Sequence, residues 1–472
     1  MTPDRNHHQP ADAAASASFD PELVRRYDVN GPRYTSYPTA NLFIEQFPPA
    51  AHREALLRLG ERPRPSLSLY LHVPFCATVC YYCACNRIIT NNRRHAVYYL
   101  ERLEREIAMV GDLLPRDHRV EQLHFGGGTP TYLEDGQLGA LFATLHEHFE
   151  LVDDGSRDFS IEIDPRTVDA GRMRFLTRLG INRVSLGVQD FDPAVQRAVN
   201  RIQGVADTRA IIEAARAQHV KSVSVDLIYG LPRQTPESFA RTLATVIELA
   251  PDRISLYSYA HLPRRFKTQR QIDVLDLPST SVKLTLLKLA VDALCGVGYE
   301  YIGMDHFARP EDPLVRARRD GTLHRNFQGY TTHGHCELIG LGVSAISSVG
   351  GVYAQSFKDL PRYGGAVDVG ELPVERGLVS SREDNLRREL IGELMCRFRV
   401  DMPTFSARHD IDFRDHFAKE LTRLEELERD DLLEMDRDAL QVTAKGRFLI
   451  RNICMAFDAY VTPDTSTFSK AI

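Results

Sequence analysis

Long apolar runs are missing from this chain. No stretch of the 472 residues approaches the roughly 18 consecutive apolar positions that a bilayer-spanning helix needs, so no membrane span is expected. The N-terminus, MTPDRNHHQPADAAASASFDP, starts polar and charged and contains no apolar core segment, which argues against a secretion signal. It reads as a flexible tail over residues 1–20, and the protein is expected in the cytoplasm. An excess of positive charge is also absent: the formal net charge of −6 provides no global basic field for nucleic acid. Cysteine is scarce, and eight in this length exclude a disulfide scaffold, which a reducing cytosol would not maintain anyway. What remains is an ordinary globular composition, 43% hydrophobic and 26% charged, in a chain long enough for a barrel-sized domain and at least one smaller one.

The few cysteines are not spread evenly. Cys76, Cys80, Cys83 and Cys85 fall within HVPFCATVCYYCACN, whereas Cys295, Cys336, Cys396 and Cys454 are scattered and read as small buried hydrophobes. A structural zinc site would ask for two CxxC-type pairs separated by a longer loop, and here there is no second half. CxxxCxxC instead places three thiolates on one compact loop, enough to hold three irons of a 4Fe–4S cluster and leave the fourth iron open.

Around that loop the chain alternates strand and helix. SLSLYLHV precedes the cysteines, and Leu100, Leu103, Ile107 and Val110 recur at helical spacing behind them. QLHFGGG, DFSIEID, RVSLGVQ, SVSVDLIYG and RISLYSY follow, making six strand candidates between residues 67 and 260 and implying a parallel sheet, closed or partly closed. The strands alternate: Leu67, Leu69, Leu71 and Val73 with Ser68, Tyr70 and His72; Phe159, Ile161 and Ile163 with Ser160, Glu162 and Asp164; Val223, Val225 and Leu227 with Ser224 and Asp226. One sheet face is therefore polar, which suits a wide, wet interior holding a large polar ligand better than a packed barrel core. GGGTPTYL, from Gly126 to Leu133, lacks the GxGxxG spacing of a dinucleotide loop, yet its glycines permit close approach to a ligand at a strand end.

YLHVPFCATVCYYCACN with GGGTPTYL, IEIDPR, SLGVQDF, VNRIQ, DLIYGLPRQT, YSYAH, YIGMDHFA, RNFQGYTTHGH and GLGVSAIS, in that order, resembles the oxygen-independent coproporphyrinogen III oxidase family of the radical S-adenosylmethionine (SAM) superfamily. The head YDVNGPRYTSYPTA and the tail from LMCRFRVD to FLIRNICMAFDAY match as well. The resemblance implies a partial (β/α)6 TIM-like barrel over 67–305, with an N-terminal extension over its opening (21–66). It further implies barrel-completing strands and loops (306–375) and a mainly helical C-terminal domain (376–472). It makes Cys76, Cys80 and Cys83 the cluster ligands. One SAM is implied at Tyr70, Gly127, Glu162 and Ile346, and a second at Tyr82, Gly128, Thr129, Gln189, Arg201, Asp226 and Ala260. Cys85, left outside the ligand set, is a catalytic candidate whose role is open.

The reaction so implied turns the ring A and B propionates of coproporphyrinogen III into the vinyl groups of protoporphyrinogen IX, in haem biosynthesis. An unactivated C–H bond resists any side-chain base near neutral pH, so the 5'-deoxyadenosyl radical derived from SAM does that work. Expected partners are an electron donor such as flavodoxin or ferredoxin and an unidentified acceptor, with the chain a monomer. Arg33, Arg264 and Arg265 are candidates for holding the substrate carboxylates, because their planar forks match that geometry. A radical-SAM-like haem chaperone is the alternative, disfavoured by Cys85 and the RYTSYPT segment; a zinc-stabilised binding module is disfavoured by the three-ligand spacing. GHCE, with His333, His335 and Cys336, reads as a loop packed near the cavity. KELTRLEELERDDLLEMD followed by LQVTAKGRFLIRNI resembles a helix and hairpin wing, too acidic to read DNA.

Overall fold

The computed structural model of the protein describes residues 20–461, apart from 65, 115 and 116. Apart from Asp20, the expected tail lies outside the described residues. Six strands arise at the six expected segments: β1 (Ser66–Val73), β2 (Arg119–Gly127), β3 (Asp158–Ile163), β4 (Arg183–Gln189), β5 (Ser222–Tyr229) and β6 (Arg253–Ser258). Every neighbouring pair among them is parallel. The crossovers carry α1 (Arg94–Gly111), α2 (Asp135–His148), α3 (Ala170–Arg178), α4 (Val205–Ala217) and α5 (Pro236–Leu249), and α6 (Thr280–Gly296) follows β6. In α1 the apolar stripe Leu100, Leu103, Ile107 and Val110 is buried against the sheet. Thr235 caps α5 through the Ser238 amide, Pro236 opens its first turn, and Ala250 ends it in a left-handed conformation.

The sheet continues at both ends. β7 (Glu300–Gly303) and β8 (His306–Ala308) form a hairpin whose second strand runs antiparallel to β6. On the other side β9 (Glu337–Leu341) joins β1 in parallel, and β10 (Ile346–Val349), β11 (Val352–Ser356) and β12 (Val374–Val379) extend it as an antiparallel meander. The order is β12-β11-β10-β9-β1-β2-β3-β4-β5-β6-β8-β7. Among the described residues β7 and β12 do not pair, so the barrel stays open. The N-terminal segment reaches both edges: Ile44–Glu45 pairs with β12, and Arg33 approaches Asp305 in the β7–β8 turn.

The polar alternation has its expected consequence. Leu69, Leu71, Leu123, Phe125, Ile161, Leu186, Val225 and Leu256 are buried beneath the helices. The opposite parity, including His124, Glu162, Ser185, Asp226, Ser255 and Tyr257, lines an interior cavity of about 170 Å³.

After β12 come α7 (Arg382–Arg397), α8 (Ala418–Arg429) and α9 (Ile450–Ala456), with a small antiparallel sheet of Arg399–Asp401, Ala439–Val442 and Leu433–Met435. The hairpin differs from the expected one. The acidic helix stops at Arg429, Asp431 turns left-handed at φ 61°, and Leu433 already belongs to a strand. GRFLIRNI is helical rather than a second strand, because Leu449, Ile450, Ile453 and Cys454 bury one helical face.

Candidate active site

The cysteine loop leaves β1 at its C-terminal end. Phe75–Cys76 pairs in parallel with Ile88–Ile89, and Ile88 N donates to Pro74 O at 2.7 Å, so the loop begins and ends at one place. Cys80 is buried, Cys76 and Cys83 are half-buried, Cys85 is exposed, and none forms a disulfide. Each ligand candidate has a polar neighbour. Cys76 Sγ lies 3.4 Å from Thr129 Oγ1, and Arg201 Nη1 lies 3.5 Å from Cys80 Sγ. A hydrogen bond from Cys85 lowers the Cys83 thiol below its ordinary pKa, while Cys85 is pushed up by the same contact. Burial pushes Cys76 up to about 11, a cost to the thiolate that a bound cluster would offset. Three sulfurs on one loop, with a cation beside Cys80 and Cys85 exposed, fit a three-ligand iron–sulfur cluster.

Gly126 and Gly127 finish β2, and with Gly128 just past it they lock the loop's entrance. Gly128 N donates to Val73 O and Thr129 N to Phe75 O, both at 2.8 Å. Gly127 sits at φ +114°, where a Cβ would stand 2.6 Å from the His72 ring; at Gly128 a Cβ would stand 2.7 Å from the Pro74 carbonyl carbon. Only glycine allows this approach. Gly127 N donates to Glu162 Oε2 at 3.1 Å, and His124 Nε2 is 3.4 Å from Glu162 Oε1. Burial works to raise the Glu162 pKa, yet these two neighbours hold it below the ordinary value, leaving a carboxylate suited to a cationic amino group. Tyr70 Oη lies 3.0 Å from His72 Nδ1, and His72 Nε2 lies 2.9 Å from Asn86 O, so β1 also orients the loop's far side.

Arg201 is the knot beneath Cys80. Its Nη1 reaches Asp164 Oδ2 at 3.2 Å, and Nε and Nη2 donate to Gly187 O at 3.2 and 2.5 Å. Gln189 ends β4 in the left-handed region at φ 68°. Asp226, beside Ser185 Oγ at 3.2 Å, is pushed up to about 7 by burial first and Glu162 second. Gln269 Nε2 donates to Tyr82 O at 3.0 Å and Ala260 O at 3.1 Å, tying the loop to the end of β6. Ile346 opens β10 with its carbonyl packed on Gly340, whose partner in β1 is Tyr70.

Of the carboxylate-binding candidates, Arg33 faces Asp305 at 3.9 Å, while Arg264 and Arg265 are exposed past β6 and Arg265 lies over the Phe266 ring. Sequence reading passed over His124, Arg87 and Gln269. His124 was legible as a polar position on the inner parity of β2. Arg87, which donates to Cys85 O at 3.2 Å and Thr268 Oγ1 at 2.9 Å, and Gln269 give no local signal, since the contacts that tie the loop to the end of β6, Arg87 with Thr268 and Gln269 with Tyr82, join stretches far apart along the chain.

Comparison with known proteins agrees along the chain. The radical SAM superfamily profile matches residues 70–246 and the HemN C-terminal domain profile residues 380–449. The oxygen-independent coproporphyrinogen III oxidase of Pseudomonas aeruginosa is 51% identical over 455 residues, 96% of this chain and 99% of that protein. The Escherichia coli protein of the same name is 48% identical over 443 residues, 94% and 96% of the two chains. A solved structure of coproporphyrinogen III oxidase (HemN) from Escherichia coli, described as a radical SAM enzyme, superposes with a TM-score of 0.89 at 47% identity. It covers 94% of this chain and 99% of that one. With near-complete coverage at such identity, the chain belongs to the oxygen-independent coproporphyrinogen III oxidase family of radical SAM enzymes.

Proposed function

We propose that the protein oxidatively decarboxylates the ring A and B propionates of coproporphyrinogen III, without oxygen, to give protoporphyrinogen IX. The observation that carries this reading is the convergence of Cys76, Cys80 and Cys83 on one loop above a polar, open barrel, in a chain matching coproporphyrinogen III oxidases along nearly its full length. Cys76, Cys80 and Cys83 would hold a 4Fe–4S cluster. When bound, the cluster and SAM supply the one-electron chemistry that an unactivated propionate C–H bond demands.

This chain's residues do the rest by position and charge. Glu162, kept ionised, accepts from an amino group, and the Gly127 backbone leaves room beside it. Tyr70 and Ile346 flank the same place. A second SAM is assigned to the neighbouring stretch of Tyr82, Gly128, Thr129, Gln189, Arg201, Asp226 and Ala260. There the Arg201 cation and an Asp226 carboxyl that titrates near neutrality provide complementary charge. Arg33, Arg264 and Arg265 are assigned to the substrate carboxylates, and Cys85, beside the ligand set, to the catalytic step. The electron donor is taken to be a flavodoxin- or ferredoxin-type protein, the acceptor is unidentified, and the chain acts as a cytoplasmic monomer. No helix among the described residues is long and apolar enough to cross a membrane.

The test is an anaerobic assay of reconstituted protein with SAM, a strong reductant and coproporphyrinogen III, following mono- and divinylic products together with 5'-deoxyadenosine. Protoporphyrinogen formed with stoichiometric deoxyadenosine, and abolished in Cys76→Ala, is the expected result. SAM cleavage that leaves the porphyrinogen intact, with tight haem binding, would replace the proposal by a haem chaperone.

A further inference from the structure

The loop leading into β9 carries His333, His335 and Cys336, and nearby sequence offers them no second ligand pair. The fold supplies one further ligand, Glu121. β1 and β2 are in register at Ser66 with Arg119 and Leu67 with Val120, then shift so that Ser68 faces Gln122. Glu121 is therefore the extra residue of a β-bulge, a device that re-aims a side chain out of the regular alternation. Its Oε2 lies 2.9 Å from His335 Nε2. The ligand atoms of Glu121, His335 and Cys336 all lie within 4.8 Å of one another.

We propose that Glu121, His335 and Cys336 form a binding site for a divalent transition-metal ion of the zinc class, separate from the cysteine loop. The donor set decides the class. One carboxylate oxygen, one imidazole nitrogen and one sulfur suit zinc, whereas magnesium and calcium call for oxygen alone. Donors about 2.0–2.3 Å from a tetrahedral ion stand roughly 3.3–3.8 Å apart, so closing the site takes about an ångström of side-chain adjustment. Two ligands are already held from behind: Ser66 Oγ donates to Glu121 Oε1 at 2.5 Å, and Cys336 N donates to His333 O at 3.1 Å.

Three protein ligands leave a fourth position. His335 and Cys336 line a cavity of about 620 Å³ between the sheet and α7, so that position faces space for water or a small anion. The location separates this site from the cofactors. Glu121 lies near the N-terminal end of β2 and Cys336 immediately precedes β9, whereas the cysteine loop leaves the opposite end of β1. The eight residues of β1 put about 25 Å between the two. Bound there, the ion would staple the loop before β9 to the base of the barrel.

The experiment uses reconstituted holoenzyme equilibrated at micromolar free zinc, with zinc and iron measured by elemental analysis in the same sample and zinc-edge X-ray absorption on the product. One zinc per chain with a single sulfur neighbour is expected. His335→Ala and Cys336→Ser should each weaken zinc binding at least about tenfold at unchanged iron content and unchanged SAM cleavage. If either variant loses iron or solubility, Glu121→Gln, which preserves volume, serves instead. No zinc in the wild type, equal retention by the variants, or a shell of three or four sulfurs, which would put the ion on the cysteine loop, overturns the proposal.

Discussion

Arg33 and Asp305 meet at 3.9 Å with more than a third of the arginine side chain in solvent, a pairing weak enough to be exchanged for a better acceptor. A propionate is such an acceptor, since a bidentate guanidinium–carboxylate contact is among the stronger hydrogen bonds available. Arg33→Ala should therefore raise the KM for coproporphyrinogen III by roughly tenfold or more, the loss of about 1.5–3 kcal/mol. SAM cleavage without substrate should not change. Steady-state kinetics beside deoxyadenosine formation checks this, and an unaltered KM removes Arg33 from the substrate site. At the same scale the strand alternation put Glu162 on the polar parity of β3 and the family resemblance made it a cofactor residue, whereas its pairing with His124 shows only in the register of β2 against β3.

Elements hold the site through two contacts that small changes would break. The end of β2 passes so close to the chain after β1 that a Cβ at Gly128 would stand 2.7 Å from Pro74 C and 2.8 Å from Phe75 O, both rigid backbone atoms. Gly128→Ala must push the cysteine loop away, and iron content after reconstitution should fall well below wild type; full occupancy would show that the loop tolerates the shift. The second contact joins α1 to the turn after β9. Glu106, 3% exposed, accepts from Gly342 N at 2.8 Å and Tyr363 Oη at 2.6 Å, yet burial pushes it up to about 7. Folding thus favours its neutral form. That contribution is complete below pH 4.5, the ordinary value, and is lost as pH rises through about 7. The change amounts to on the order of 3 kcal/mol. Urea unfolding at pH 5 and pH 8 should show wild type losing stability that Glu106→Gln retains, and equal slopes in the two proteins would refute the assignment.

Across the whole molecule the two chain ends fix each other beside the barrel opening. Arg451 of α9, 5% exposed, donates through Nε to Pro32 O at 2.8 Å and through Nη2 to Gly31 O, while Arg325 Nη1 donates to Arg33 O at 2.9 Å and Tyr34 O at 3.1 Å. Tyr34 Oη reaches Asp458 at 3.0 Å, and Tyr353 Oη of β11 donates to Tyr37 O at 3.2 Å. Carbonyls of the segment that presents Arg33 are thus held by groups hundreds of residues away. Arg451→Ala should release that segment, so that trypsin cuts after Arg33 several-fold faster and the KM for coproporphyrinogen III rises as in Arg33→Ala. Arg451→Lys should restore part of both. An unchanged cleavage rate would mean that Arg325 suffices.

How much of this was legible in the sequence follows from the range of the forces involved. The cysteine spacing, the polar alternation along the strands and the glycine run are local patterns, fixed by the two-residue period of a strand and the freedom of a residue without Cβ; they led to a parallel sheet with a polar face and a three-cysteine loop, and the family resemblance added the partial barrel and its cofactors. The C-terminal hairpin was misplaced because the break at Asp431 and the burial of Leu433 depend on packing rather than on propensity. Gln269 joining Tyr82 to Ala260, the N-terminal segment held by Arg451, and the bulge that brings Glu121 to His335 are contacts between distant stretches. Their geometry exists only once strands are in register and buried polar groups must find partners, and that was for the tertiary structure to decide.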